Sequence, residues 1–125
     1  MKLKVGRADI RRYYPDIGNN LDVPESERWC IVLRKPPKFR MATIGFTTEV
    51  RGGVAHQNFD QRAYYEEFIV RHENAPDLDI EGKVRKLRAA DLFEFDSLIP
   101  VIDGIAEIIA ELIRAADKEE QDTKN

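Results

Sequence analysis

The longest regular pattern in the chain lies towards its C-terminal end. From Leu98 to Ala116 the positions Leu98, Ile102, Ile105, Ile109, Leu112 and Ala116 recur at alternating spacings of four and three, the repeat of an apolar helix seam. Beside the seam stand Ile99, Val101, Ala106, Ile108, Ala110, Ile113 and Ala115, and only Asp103, Glu107, Glu111 and Arg114 form a polar stripe. A helix that covers one side of a core needs an apolar arc little wider than about 100°, and this one has roughly twice that. The pattern predicts either packing on several sides or burial of part of the face by another chain. Pro100 is tolerated in the first turn, where its missing donor has no partner in any case. Beyond Ala116 no apolar residue follows, and 117–125 is expected to be a loose polar tail.

Further upstream the pattern is shorter in period. Trp29-Cys30-Ile31-Val32-Leu33 is a compact apolar run closed by Pro36-Pro37, the profile of a buried strand over 28–34. Ile44, Phe46, Thr48 and Val50 follow at period two. They predict a second strand over 41–50, paired with the first through Lys35-Pro36-Pro37-Lys38, with a short helix over 38–45 as the competing reading. Arg51-Gly52-Gly53 breaks that pattern. Between Asn58 and His72, Phe59, Ala63, Tyr64, Phe68 and Ile69 recur at helical spacing, with Asn58 or Asp60 as cap and Pro76 beyond the end. A polar loop containing Gly82 leads to a short helical piece at 89–93. Residues 1–24, with Asp16-Ile17-Gly18-Asn19-Asn20 in their midst, are expected to be loose. The fold class is therefore α+β: a small N-terminal β-hairpin followed by a helical C-terminal half with a long amphipathic terminal helix.

Composition narrows this further. With 125 residues and 42% hydrophobic content, the chain suffices for one small domain over 1–116 without staples. A lone cysteine, Cys30, inside an apolar run reads as a core residue of a reducing compartment, which points to the cytoplasm. Met1–Ile10 alternates charged and apolar residues and predicts no secretion signal. The charges of the terminal helix exclude a membrane span. Residues 1–40 hold ten Lys/Arg against five Asp/Glu, and 41–125 ten against eighteen. Such polarity favours self-association or docking on a charged partner.

Candidate chemistry is thin. Asp77-Leu78-Asp79-Ile80-Glu81-Gly82 opens like a calcium loop, but Arg88 stands where the bidentate Glu belongs. His56 and His72 lack ligands at metal spacing. Glu66 and Glu67 are adjacent and point about 100° apart on a helix, so they form no catalytic dyad. Gly52-Gly53 lacks the Lys-Ser/Thr of a phosphate loop. Arg34, Lys35, Lys38 and Arg40 around Phe39 form a basic tip, without a recognised nucleic-acid reader motif beside it. No cofactor, metal or catalytic residue is expected. Trp29, Tyr64 and Tyr65 are candidate interface anchors: Trp29 is assigned to the core, and Tyr65 joins Leu98, Ile102, Ile105, Ile109 and Leu112 as the expected partner-binding set.

From Trp29 onward the order of features resembles the tail-assembly chaperones of long-tailed phages and prophages. The resemblance runs through the strand and basic proline turn Trp29–Pro36, the Phe68-Ile69-Val70 helix end, the acidic, glycine-containing turn 77–83, Ala89-Ala90-Asp91-Leu92-Phe93 and the closing helix from Leu98 to Ile113. It covers about three quarters of the chain. It implies a small, largely helical, non-enzymatic protein of the bacterial host cytoplasm that binds the tape-measure protein and tail-tube subunits during tail assembly and often self-associates. A structural virion component, a tail-completion or head–tail connector protein, is the alternative.

Overall fold

A central strand that is buried on both faces organises the protein. The computed structural model describes residues 1–5 and 9–124, with the backbone alone for 123 and 124. In chain order its elements are β1 (Ile10–Tyr13), β2 (Cys30–Arg34), a one-turn α1 (Lys38–Met41), β3 (Phe46–Arg51), β4 (Val54–Phe59) and α2 (Gln61–Phe68). Then follow β5 (Ile69–Glu73), β6 (Asp77–Ile80), β7 (Lys83–Lys86), 3-10 turns at Ala89–Phe93 and Asp96–Leu98, and the 26-residue α3 (Ile99–Lys124). The architecture is α+β. Three small antiparallel sheets, β1-β2-β5, β3-β4 and β6-β7, precede the long C-terminal helix.

Cys30, Ile31, Val32 and Leu33 are all buried. With period two, Ile31 and Leu33 face one side together with Trp29, and Cys30 and Val32 face the other. The first side joins Phe68, Leu98, Val101, Ile105, Ile109 and Leu112 in a single core cluster. Each such fully buried side chain contributes roughly 1.5–3 kcal/mol. On the other side Arg12 and Arg71 stand opposite Val32, and Glu73 opposite Cys30. Glu73 bonds both arginines, Arg71 Nε at 2.8 Å, and this charged lattice closes over the small central side chains. The two guanidinium groups, Arg12 first, lower the Glu73 carboxyl pKa. Burial raises the pKa of the Cys30 thiol, which suits the inert core role expected of it.

Residues 10–29 are more ordered than their turn-rich composition suggests, because side-chain amides bond the main chain of the 15–29 segment. Asn20 donates to Pro15 O and Trp29 O at 2.8 and 3.1 Å and accepts from Trp29 N at 2.7 Å. Asn74, at φ +54°, donates to Ser26 O and Arg28 O. This locks the loop to the end of β5 and leaves β1 free to pair with β2.

Three expectations require correction. The strand over 41–50 does not pair with 28–34. Residues 38–41 form α1, Ile44 drops into the core, and Phe46–Arg51 pairs instead with Val54–Phe59. Gly52 and Gly53, at φ +58° and +76°, supply the two left-handed residues of a tight hairpin turn. β2 finds its partners in β1 and β5. The helix expected over 58–72 runs only from Gln61 to Phe68, begun by Asp60 accepting from Ala63 N at 3.2 Å. Ile69 and Val70 extend because the edge of β2 offers backbone partners that a further helical turn would forgo. The half beyond is accordingly not all helical, since 77–86 is a hairpin whose turn Asp79 braces by accepting from Gly82 N at 2.9 Å. Finally, α3 does not stop at Ala116 before a loose tail but continues to Lys124. Asp117–Gln121 are mostly good helix formers, and Lys38 Nζ holds Glu120 at 2.8 Å.

One buried charge ties the second half together. Asp91, 2% exposed, receives Arg85 through both guanidinium nitrogens at 2.7 Å and the Arg88 amide at 2.6 Å. Its pKa is held far below the usual carboxylate range, first by Arg85 and then by the Arg88 N–H. The hairpin β6-β7 is thereby fastened to the turn that leads into α3.

Two tests follow from this packing. A Cβ on Gly104 would meet Tyr13 Oη at 2.0 Å and Cζ at 2.3 Å, so Gly104→Ala forces the ring off the helix. We expect destabilisation of about 1–3 kcal/mol from overpacking, against about 1 kcal/mol of gained helix propensity, measured by chemical denaturation. The second test concerns His72, whose Nδ1 accepts from Trp29 Nε1 at 3.2 Å while burial lowers its pKa. The unfolded imidazole takes up its proton first, so this stability is complete above about pH 6.5 and is lost progressively as the pH falls below that value. The melting midpoint should therefore drop between about pH 7.5 and pH 5, and His72→Gln should flatten that slope.

Candidate protein-docking flank

The expected seam lies largely within the fold's own core. Leu98, Ile105, Ile109 and Leu112 are at most 5% exposed and pack against the central sheet. They are core residues and cannot serve as anchors for another chain, which corrects the expectation that they form a docking face. Two of the expected set remain accessible, Ile102 and Tyr65, both half-buried. What the domain leaves open is the flank of the seam.

At 100° per residue, Ile102, Ile113, Ala106, Ile99 and Ala110 lie within one sector of about 80° beside the buried stripe. Ile99 is 51% exposed, Ala110 is exposed, and Ile102, Ala106 and Ile113 are half-buried. The sector is bordered on its far side by the exposed stripe Asp103, Glu107 and Glu111. On the opposite flank Tyr13 closes over Gly104, while Ile108 and Ala115 further along that flank are half-buried.

The two ends of the flank open into recesses. The first, of about 390 Å³, lies between Ile99, Ile102, Tyr65, Phe93 and Phe95. Its aromatic wall is built by two elements: α2 supplies Tyr65, whose ring stacks on Phe93 at 6.4 Å and 18°, and the 3-10 turn before α3 supplies Phe93 itself. Gln61 Nε2 donates to the Tyr65 hydroxyl at 3.1 Å. Arg62 lies 5.4 Å above the Phe93 ring and bonds Glu66 at 2.8 Å, the pairing that chiefly raises its pKa. The second recess, of about 540 Å³, is formed by Met41, Ile113 and Ala116 with Lys35, Lys38 and Glu120 at the rim. Ile102 and Ile113 are three helical turns apart, about 16 Å, and the small Ala106 and Ala110 between them leave a shallow channel.

The channel's chemistry is that of protein recognition. It offers aromatic and branched apolar surface with charged rims, the composition of interface hot spots. Among the described residues, no group of three or more His, Cys, Asp or Glu side chains is placed to hold a metal ion. Among the same residues, no helix is long and apolar enough to cross a membrane. The basic tip is partly consumed within the fold, since Lys38 pairs with Glu120 and Arg40 with Glu67, while Phe39 stands fully exposed. Phe93 and Phe95 are the residues that sequence reasoning passed over. Their signal was an aromatic pair at spacing two just before the helix, with Phe93 at the end of a segment read as a short helical piece and Phe95 just beyond it. Protein-family models, curated proteins and solved structures were all compared with the chain, and none matches it.

The division between seam and flank is measurable. Ile105→Ala should cost about 2–5 kcal/mol, as for other buried large-to-small changes. Ile99→Ala should stay within about 0.5 kcal/mol. Urea midpoints of the two variants check this directly.

Proposed function

We propose that this protein is a non-enzymatic assembly factor that holds a helical partner along the flank of α3, in the manner of the phage tail-assembly chaperones that its residue order resembles. The observation that carries the reading is the pair of apolar recesses three helical turns apart on one side of a single helix. A partner helix meeting both would present apolar anchors about eleven residues apart, the i, i+4, i+7, i+11 rhythm of helix-in-groove docking. A tape-measure protein, itself a long helix, supplies such anchors repeatedly, and tail-tube subunits are the second partner in this reading. The acidic border Asp103, Glu107 and Glu111 favours Lys or Arg on the adjoining side of the partner helix.

The test is co-purification with a tape-measure protein, the partner that this reading expects to be encoded nearby. Ile99→Asp and Ile102→Asp place a charge in the first recess, and the largely exposed Ile99 leaves the core intact. Each should weaken the complex at least about tenfold, the loss expected of a hot-spot residue, with the circular dichroism of Ile99→Asp unchanged. Absence of a complex with wild-type protein, or undiminished affinity in a folded Ile99→Asp variant, would sink the proposal.

A further inference from the structure

The ribbon β3-β4 is also left uncovered by its own chain. All twelve strand residues are exposed, with Phe46 at 53%, Val50 at 69%, Val54 at 58% and Phe59 at 54%. It pairs with no third strand among the described residues. An isolated two-stranded hairpin is at best marginally stable in water. This one is anchored at its root, where the Phe59 ring meets Phe46 at 5.4 Å and Tyr64 at 5.7 Å.

Its two outer edges differ. Natural sheets protect free edges with charges, prolines or bulges. β3 carries Glu49 and Arg51, whereas Val54-Ala55-His56-Gln57-Asn58-Phe59 has no Lys, Arg, Asp, Glu or Pro. The β3-β4 register runs without a shift from Phe46–Phe59 to Arg51–Val54. Asp60 N donates to Gly45 O at 2.6 Å, and this fixes the alternation of the ladder. Thr47, Glu49 and Arg51 exchange bonds with Asn58, His56 and Val54, so Ala55, Gln57 and Phe59 turn their backbone N–H and C=O groups outward.

We propose that β4 pairs antiparallel with β4 of a second copy across a two-fold axis at Gln57, giving a four-stranded sheet in the order β3-β4-β4-β3. The register follows from the outward groups. Gln57 faces Gln57, and Ala55 and Phe59 face each other on both sides of the axis, three hydrogen-bonded pairs in all. Each face-sharing row then runs across the sheet with matched chemistry. Val50 and Ala55 of one copy continue into Phe59 and Phe46 of the other, an apolar row in which the small Ala55 makes room for the ring beside it. The central row is Thr48, Gln57, Gln57 and Thr48, in which the two amides are able to bond each other. No charged side chains confront one another across the new edge. A copy of the same strand repeats the large-to-small match at both ends of one register, and isologous pairing closes at two chains. The surface is separate from the flank of α3, and neither reading depends on the other.

Sedimentation of the full chain and of single variants tests the pairing. Gln57→Lys and Gln57→Glu each oppose like charges on the axis and should raise the dimer Kd about fivefold or more. Their equimolar mixture should regain a dimer, and circular dichroism should match the wild type, since residue 57 lies on an exposed ribbon. Gln57→Cys should cross-link under mild oxidation, because hydrogen-bonded antiparallel partners stand about 5.5 Å apart at Cα. Cys30, 1% exposed, does not compete. A monomeric wild type, single-charge variants that dimerise like the wild type, or a Gln57→Cys chain that stays uncrosslinked would each overturn the proposal.

Discussion

The contact on which the rest of the molecule depends is that between the inner face of β2 and the buried stripe of α3. Ile31 and Leu33 on the strand and Val101, Ile105, Ile109 and Leu112 on the helix share one core, although about 70 residues separate them in the chain. The neighbouring elements close this contact off. β1 and β5 flank the strand, α2 brings Phe68 beneath it, and Leu87 and Leu92 fill the end where the helix begins. Asp91 is the single buried charge in this region, and its bidentate bond from Arg85 satisfies it without exposing the core to water.

Around this centre the surface divides by how fully the chain covers it. The outer face of the main sheet is sealed by Arg12, Glu73 and Arg71, side chains long enough to lie across Cys30 and Val32 while their charged ends remain in solvent. On α3 itself, Tyr13 covers Gly104. Among the described residues, two larger apolar regions stand open. The other flank of α3 has an apolar channel with an aromatic end, and the ribbon β3-β4 carries four large apolar side chains in water. A chain of this length has too little surface-covering material to enclose a 26-residue helix and a projecting ribbon at once. The open regions are therefore where association is expected on physical grounds.

The charge asymmetry has a more local outcome than its size suggests. Arg12, Lys38 and Arg40 from the basic first forty residues pair with Glu73, Glu120 and Glu67 from the acidic remainder. Folding thus consumes part of the polarity that would otherwise orient partners. Outside these pairs stand the acidic stripe of α3 beside the channel and Arg34 on the outer sheet face.

Much of the fold was legible in the residues alone. The apolar run 29–33 specified a buried strand, and the four–three spacing from Leu98 specified a long helix, because both signals are periodic and local. Of the two cap candidates Asn58 and Asp60, Asp60 begins α2, and a cap is legible because it is a contact three residues long. The sequence could not say which strands pair. Val50 alternates as well in a ribbon with β4 as in a sheet with β2, and Ile69 and Val70 suit a helix end or a strand until the edge of β2 supplies their hydrogen bonds. Nor could it separate the seam from its flank, since Leu98, Ile105 and Ile109 differ from Ile99 and Ile102 only by their angle around one helix. That angle acquires meaning when the sheet takes up one side, and then the same apolar composition becomes core on one stripe and open surface on the next.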